Sequence, residues 1–163
     1  MWFFMNTCYV CSLLTFGLLG VAFFQSFLKF NILSSSHVTF MILVSIVYAF
    51  TETLVIFFFV GTGVSVRDYT NDNNLDTKYH KKSIGIKRVV YPPLLMNMLY
   101  MIILFVIVGA VDTMRVAPWI YYLLFVFCIF DYVRIKIIQN TCFRENTENI
   151  LAMSGIEPKA IAK

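Results

Sequence analysis

The sequence predicts an all-α integral membrane protein, a bundle of about four transmembrane helices with both termini on the cytoplasmic side. Three observations carry that expectation. The 163 residues are 60% hydrophobic and 13% charged, with a mean hydropathy of +0.78, against roughly 45–50% apolar and about 25% charged in a soluble domain. The apolar residues come in long continuous runs, and the basic residues gather in polar segments on one side of those runs. One core cannot hide this much apolar side chain from water, so lipid must solvate much of the surface. Richness in Phe, Ile, Tyr and Asn with little Ala fits an AT-rich genome, and with it a bacterial inner membrane or an organellar membrane.

The first span is expected over 2–28, a stretch without a charge. It lacks the basic start of a signal peptide and is about twice as long as that peptide's apolar run, so it reads as a retained span. The second, over 38–66, is interrupted once by Glu52, and the third, over 93–111, is uncharged. A hydrocarbon core of ~30 Å needs roughly 20 helical residues, so these three qualify outright. The fourth, over 118–138, is apolar to Phe130 and then admits Asp131, Arg134 and Lys136. It qualifies if its last turns lie at the surface, with Arg134 and Lys136 extending their charges toward water.

Barrel strands would show about ten residues of in/out alternation, and these runs show none. Asn31 with Ser34, Ser35 and Ser36 makes a short first link and an N-cap for the second helix. Pro92-Pro93 and Pro118 stand where a helix begins rather than continues. The transmembrane domain then covers 1–138 with a polar inner loop at 67–92, and a cytoplasmic tail follows over 139–163.

Orientation follows from the cations. Arg67, Lys78, Lys81, Lys82, Lys87 and Arg88 lie between spans two and three, and Arg134, Lys136, Arg144, Lys159 and Lys163 follow or close span four. Only Lys29 and Arg115 fall on the other side, so the positive-inside rule puts both termini and the central loop inside. Trp119, Tyr121 and Tyr122 open span four where an interfacial aromatic belt would fall, and Trp2 does the same for span one. The cations form no face interleaved with aromatics, so no nucleic-acid partner is expected.

Glu52 is the most informative residue. It stands 14 residues from either end of 38–66, near the bilayer midplane, where an ionised carboxylate costs roughly 2.5–3.5 kcal/mol. It should therefore face protein. Ser45, Tyr48, Thr51 and Glu52 share one side of the helix at three- and four-residue spacing, a polar stripe aimed into the bundle. Such a carboxylate carries protons, binds a cation, or makes a structural bond to a neighbouring helix. In the structural role Glu52→Gln should be tolerated, because an amide still bonds to a neutral partner. Asp131 and Arg134, one turn apart, read as an ion pair at the helix end; a relay with Glu52 is disfavoured because the two sites are expected at different depths.

The remaining motifs read as structure. Cys8 and Cys11 have CxxC spacing, but a membrane thiol oxidoreductase needs its pair on the oxidising side beside a second pair. With Ser12 and Thr15 they form a small-residue strip for helix packing. His37 and His80 fall on opposite sides, so one chain cannot build a bis-histidine haem site. Gly61-Thr62-Gly63 lacks the third glycine and the strand of a dinucleotide loop, and marks a loosening helix end or a close helix contact. Lys78, Lys81, Lys82, Lys87 and Arg88 are candidate contacts for anionic lipid. No cofactor, metal site or catalytic residue is expected. The leading expectation is a non-catalytic accessory or structural subunit of a larger membrane complex, energy-transducing ones included, with other membrane subunits and the bilayer as partners. The alternative is a small proton-coupled transporter or channel acting as a homo-oligomer through Glu52; a quinone- or haem-binding subunit or an enzyme comes third.

Overall fold

The long apolar runs fold as helices because a helix satisfies every backbone group within its own segment, the condition for burying a chain in hydrocarbon. A computed structural model describes residues 2–28 and 36–155, and every regular element among them is helical. The helices are α1 (Trp2–Leu28), α2 (His37–Asp72), α3 (Lys78–Asp112) and α4 (Pro118–Met153). Three of them, α1, α2 and α3, are long and apolar enough to cross a membrane. The protein is thus a membrane protein of helical-bundle type. Lys29, Asn31, Ser34, Ser35, Lys159 and Lys163 lie outside the described residues.

α3 packs against both α2 and α4, and α1 lies across α2, meeting α4 least closely of the neighbouring pairs. Two apolar cores form. One gathers Leu19, Met41, Leu104 and Phe125 toward the start of α2, and the other gathers Val55, Phe59, Leu94 and Phe143 farther along it. In the second, the Phe59 and Phe143 rings stack at 5.1 Å between centroids. Large apolar side chains also face outward, among them Phe3 at 77% and Leu13 at 74% exposure, as a lipid-solvated surface requires.

The helices run farther than the apolar runs that predict them. The expected loop over 67–92 shrinks to residues 73–77, because α2 continues to Asp72 and α3 begins at Lys78. Packing drives this. Val66 and Thr70 of α2, Ser83, Ile86 and Val90 of α3, and Cys142, Asn146 and Asn149 of α4 are all buried. Asn149 Nδ2 donates to the Tyr79 carbonyl at 3.0 Å, tying the ends of α3 and α4 together. Pro92 and Pro93 consequently sit inside α3 rather than at its start. Each lacks the N–H that the carbonyl four residues earlier would receive, so Arg88 and Val89 lose those helical bonds. The helix continues because both of its flanks are packed.

The short turn has its own chemistry. Asn74 takes φ 51, a left-handed conformation that Asn tolerates. Asp76 Oδ1 accepts from the Lys78 amide at 2.9 Å, filling one of the open donors of α3. Ser36 caps α2, its Oγ accepting from the Thr39 amide at 3.3 Å.

Candidate functional site

α2 and α4 run in the same direction, and three contacts fix their register. His37 Nε2 lies 2.8 Å from the Tyr121 hydroxyl, the Tyr48 and Tyr132 rings meet at 5.9 Å between centroids, and Lys136 Nζ lies 2.6 Å from Glu52 Oε1. The partners are 84 residues apart in every case. Position n of α2 therefore lies level with position n + 84 of α4, and this register aligns a polar layer between the two apolar cores.

The layer has two arms. In the first, Glu52 accepts from Lys136 on Oε1 at 2.6 Å and from Gln139 Nε2 on Oε2 at 2.8 Å, while Lys136 also donates to Gln139 Oε1 at 2.9 Å. The side chain of Glu52 is 1% exposed and that of Lys136 20%. Lys136 Nζ stands 4.8 Å from the centroid of the Tyr132 ring, a cation–π contact. The Tyr132 hydroxyl donates to the Ser12 carbonyl at 3.0 Å, and Thr15 and Thr51 share a bond of 2.8 Å, so α1 joins the same layer. In the second arm the Tyr48 hydroxyl donates to Asn97 Oδ1, and Asn97 Nδ2 donates to Asp131 Oδ2 at 3.0 Å. Arg134 approaches Asp131 Oδ1 at 3.7 Å. The Tyr48 and Tyr132 rings join the two arms.

Helical spacing builds both faces. Tyr48, Thr51 and Glu52 fall one turn apart on α2, and Tyr132, Lys136 and Gln139 recur at four and three residues on α4. A carboxylate and an ammonium taken from water need each other and further hydrogen bonds to offset desolvation, and Gln139 supplies one to each.

Several expectations change here. Lys136 does not extend to water but closes on Glu52, because α4 brings it within reach of a buried counter-charge. Arg134 does point outward, its side chain 73% exposed. Asp131 lies level with position 47, more than one turn on the His37 side of Glu52 rather than beyond it, so the two sites stand at different depths in the reverse of the expected order. Ser45 stays outside the network, its Oγ buried without a partner among the described residues. Tyr121 is no belt residue either: it is 3% exposed and bonded to His37. Lys136, Gln139 and Asn97 are the members of the polar layer that sequence reasoning missed. The signals were there: Asn97 is the one Asn, Gln, Asp or Glu in 93–111, and Lys136 is 18 residues from the start of α4 where Glu52 is 15 from the start of α2.

The five candidate lipid-contact cations divide. Lys78, Lys81, Lys82 and Arg88 are exposed on the first turns of α3, with Lys78 Nζ 3.4 Å from Asp76. Lys87 instead folds over Gly63, where a Cβ would overlap its Nζ and press on Ser83. Burial against α2 holds the Lys87 ammonium below its ordinary pKa. Gly63 is thus the close helix contact, and Gly61 faces open space.

Cys8, Cys11, Cys128 and Cys142 are free thiols, and no group of three or more His, Cys, Asp or Glu gathers among the described residues. The two histidines stand at opposite ends of the bundle, His37 at the start of α2 and His80 in the first turn of α3. No protein-family model, curated protein or solved structure matches this chain, so the role of the polar layer rests on its geometry.

Proposed function

We propose that the chain crosses the membrane four times with both termini inside, in a bacterial inner membrane or its organellar equivalent. We propose further that it serves as a non-catalytic accessory or structural subunit of a larger integral membrane complex. Three helices supply the ruler for the spans. Roughly 20 residues cross the hydrocarbon. Counted from His37, Pro118 and, backward, from Asp112, that distance ends at Phe57, Ile138 and Pro92. Beyond this level cations resume within about two turns at Lys87, Arg88 and Arg144, and about three turns on at Arg67, which supports an inner surface near there and a projecting helical stalk beyond it. On this ruler Glu52 and Lys136 lie below the inner headgroups rather than at the midplane, a depth at which a paired charge is less costly.

The observation that carries the subunit reading is the placement of the glycines. Gly17, Gly20, Gly61 and Gly109, in or beside the spans, each have open space where a Cβ would stand, as do Gly85 and Gly155 outside them, while only Gly63 serves a contact within the chain. Small residues are where membrane helices approach one another closely, and these four are left for helices of another chain. Glu52 supports the same reading, since both its oxygens are held within the chain and make it an internal clasp. A proton carrier would need that carboxylate to meet water, and it is 1% exposed.

Mild-detergent extraction followed by native mass spectrometry tests the proposal. The expected result is this chain bound to at least one different membrane polypeptide in fixed stoichiometry. A homo-oligomer alone, with proton-driven uptake after reconstitution, would overturn it in favour of transport through Glu52.

A further inference from the structure

The loosest seam of the bundle, between α1 and α4, holds a cleft of about 410 Å³ lined by Tyr9, Leu13, Phe16, Val133, Lys136 and Asn140, among others. We infer that this cleft binds the phosphate head and upper acyl chain of one anionic phospholipid from the inner leaflet. The inference rests on the four-span, termini-inside placement above.

Polarity is graded along the cleft. Tyr9, Gln139 and Asn140 lie at the level where the ruler puts the inner headgroups, Lys136 and Leu13 lie about a turn deeper, and Phe16 and Val133 line the part nearer the bilayer centre. A phospholipid has the same gradient in the same direction. The walls at both ends are aromatic: Phe16 stacks on Tyr132 with 9° between ring planes, and Tyr9 tilts against Phe143 at 5.5 Å.

The polar end offers donors and few acceptors. Lys136 carries three N–H groups, of which Glu52 and Gln139 take two. Asn140 Oδ1 already accepts from the Tyr9 hydroxyl at 2.6 Å, leaving its amide N–H groups for a ligand. The Gln139 oxygen is occupied by Lys136. An acceptor-rich head suits such a set, and phosphate oxygens suit it best because one donor is an ammonium. Glu52 lies behind Lys136 at 1% exposure, so an anion in the cleft meets the cation first.

The test uses the full chain in nanodiscs of mixed dioleoyl-phosphatidylglycerol and dioleoyl-phosphatidylcholine, released into the mass spectrometer from mild detergent. Three proteins are compared: wild type, Asn140→Leu, which removes a donor, and Leu13→Trp, which fills the cleft. Both changes spare the Glu52–Lys136–Gln139 clasp. Wild type should retain one phosphatidylglycerol in preference to phosphatidylcholine. Asn140→Leu should weaken retention by about tenfold, the worth of one charge-assisted hydrogen bond, and Leu13→Trp should abolish it. Neutralising Lys78, Lys81, Lys82 and Arg88 together should leave the bound lipid in place. In parallel, Asn140→Cys is labelled in a background lacking the four native cysteines, using an impermeant maleimide. Labelling from the inside with equal retention of both lipids, or retention unchanged in both variants, overturns the lipid site alone. Labelling from the outside overturns the orientation, and the inner-leaflet site with it.

Discussion

Glu52 and Lys136 form a pair whose two halves have very different meanings for mutation. Removing one partner strands the other charge, whereas removing both exchanges a costly ion pair for apolar packing. Glu52→Gln, tolerable if the partner were neutral, therefore leaves the Lys136 ammonium facing an amide. The expected loss is about 2–3 kcal/mol, below the usual range for a fully buried pair because Lys136 is 20% exposed and can turn into the cleft. Glu52→Leu with Lys136→Leu should return stability to within about 1 kcal/mol of wild type. Heating in detergent followed by fluorescence-detected size exclusion reads both, and a double variant no more stable than Glu52→Gln would show that the pair is not a clasp. The thiol of Cys142, beyond the spanning part of α4, is pushed up to about 11 by burial and by Glu145. It should stay unlabelled by maleimide at neutral pH until the protein is unfolded.

At the scale of elements, α3 shows how packing overrides local preference. Its first turns hold exposed cations and its middle holds two prolines, yet burial of Ser83, Ile86 and Val90 makes it one helix from Lys78 to Asp112. Asp76 starts it. The Lys78 amide, first among the causes, and then the Lys78 side chain hold the Asp76 carboxyl below its ordinary value of 3.8. A depressed carboxyl contributes stability above the unfolded pKa and loses it as pH falls through the folded one. Protection factors for amide exchange at Lys78–Lys81 should therefore be high at neutral pH and fall below pH ~4, with Asp76→Ala already low at neutral pH. Protection independent of pH would show that the cap does not hold this turn.

For the whole molecule, the division of charge and the helix lengths make one prediction together. An impermeant label on a cysteine placed at Asn73, in the turn between α2 and α3, and tags at both termini should all report the inner side. The reason is the placement of all but two of the 13 Lys and Arg on that side of the runs. Alkaline-phosphatase activity from a C-terminal fusion in a bacterial host would overturn the four-span count. An odd number of spans, with the fourth helix lying along the surface, would then be the reading to test.

What the sequence determined by itself was the solvent and the element type. Runs such as 2–28 are too long, too apolar and too free of charge to be anything but helix in lipid, and Glu52 among them had to face protein. These are one-dimensional properties, carried by composition and spacing. The partner of Glu52 was decided only in three dimensions. Lys136 sits 84 residues away on a helix that looks surface-bound from its charges, and nothing local states the register that brings the two level. The stalk was hidden for a related reason: 67–92 reads as a polar loop because most of its residues face water, while a few, Thr70 of α2 and Ser83, Ile86 and Val90 of α3, are buried where α2, α3 and α4 meet. Burial of those few side chains against neighbouring helices offsets the ordering of the backbone, and such a balance is set by neighbours that a single segment does not contain.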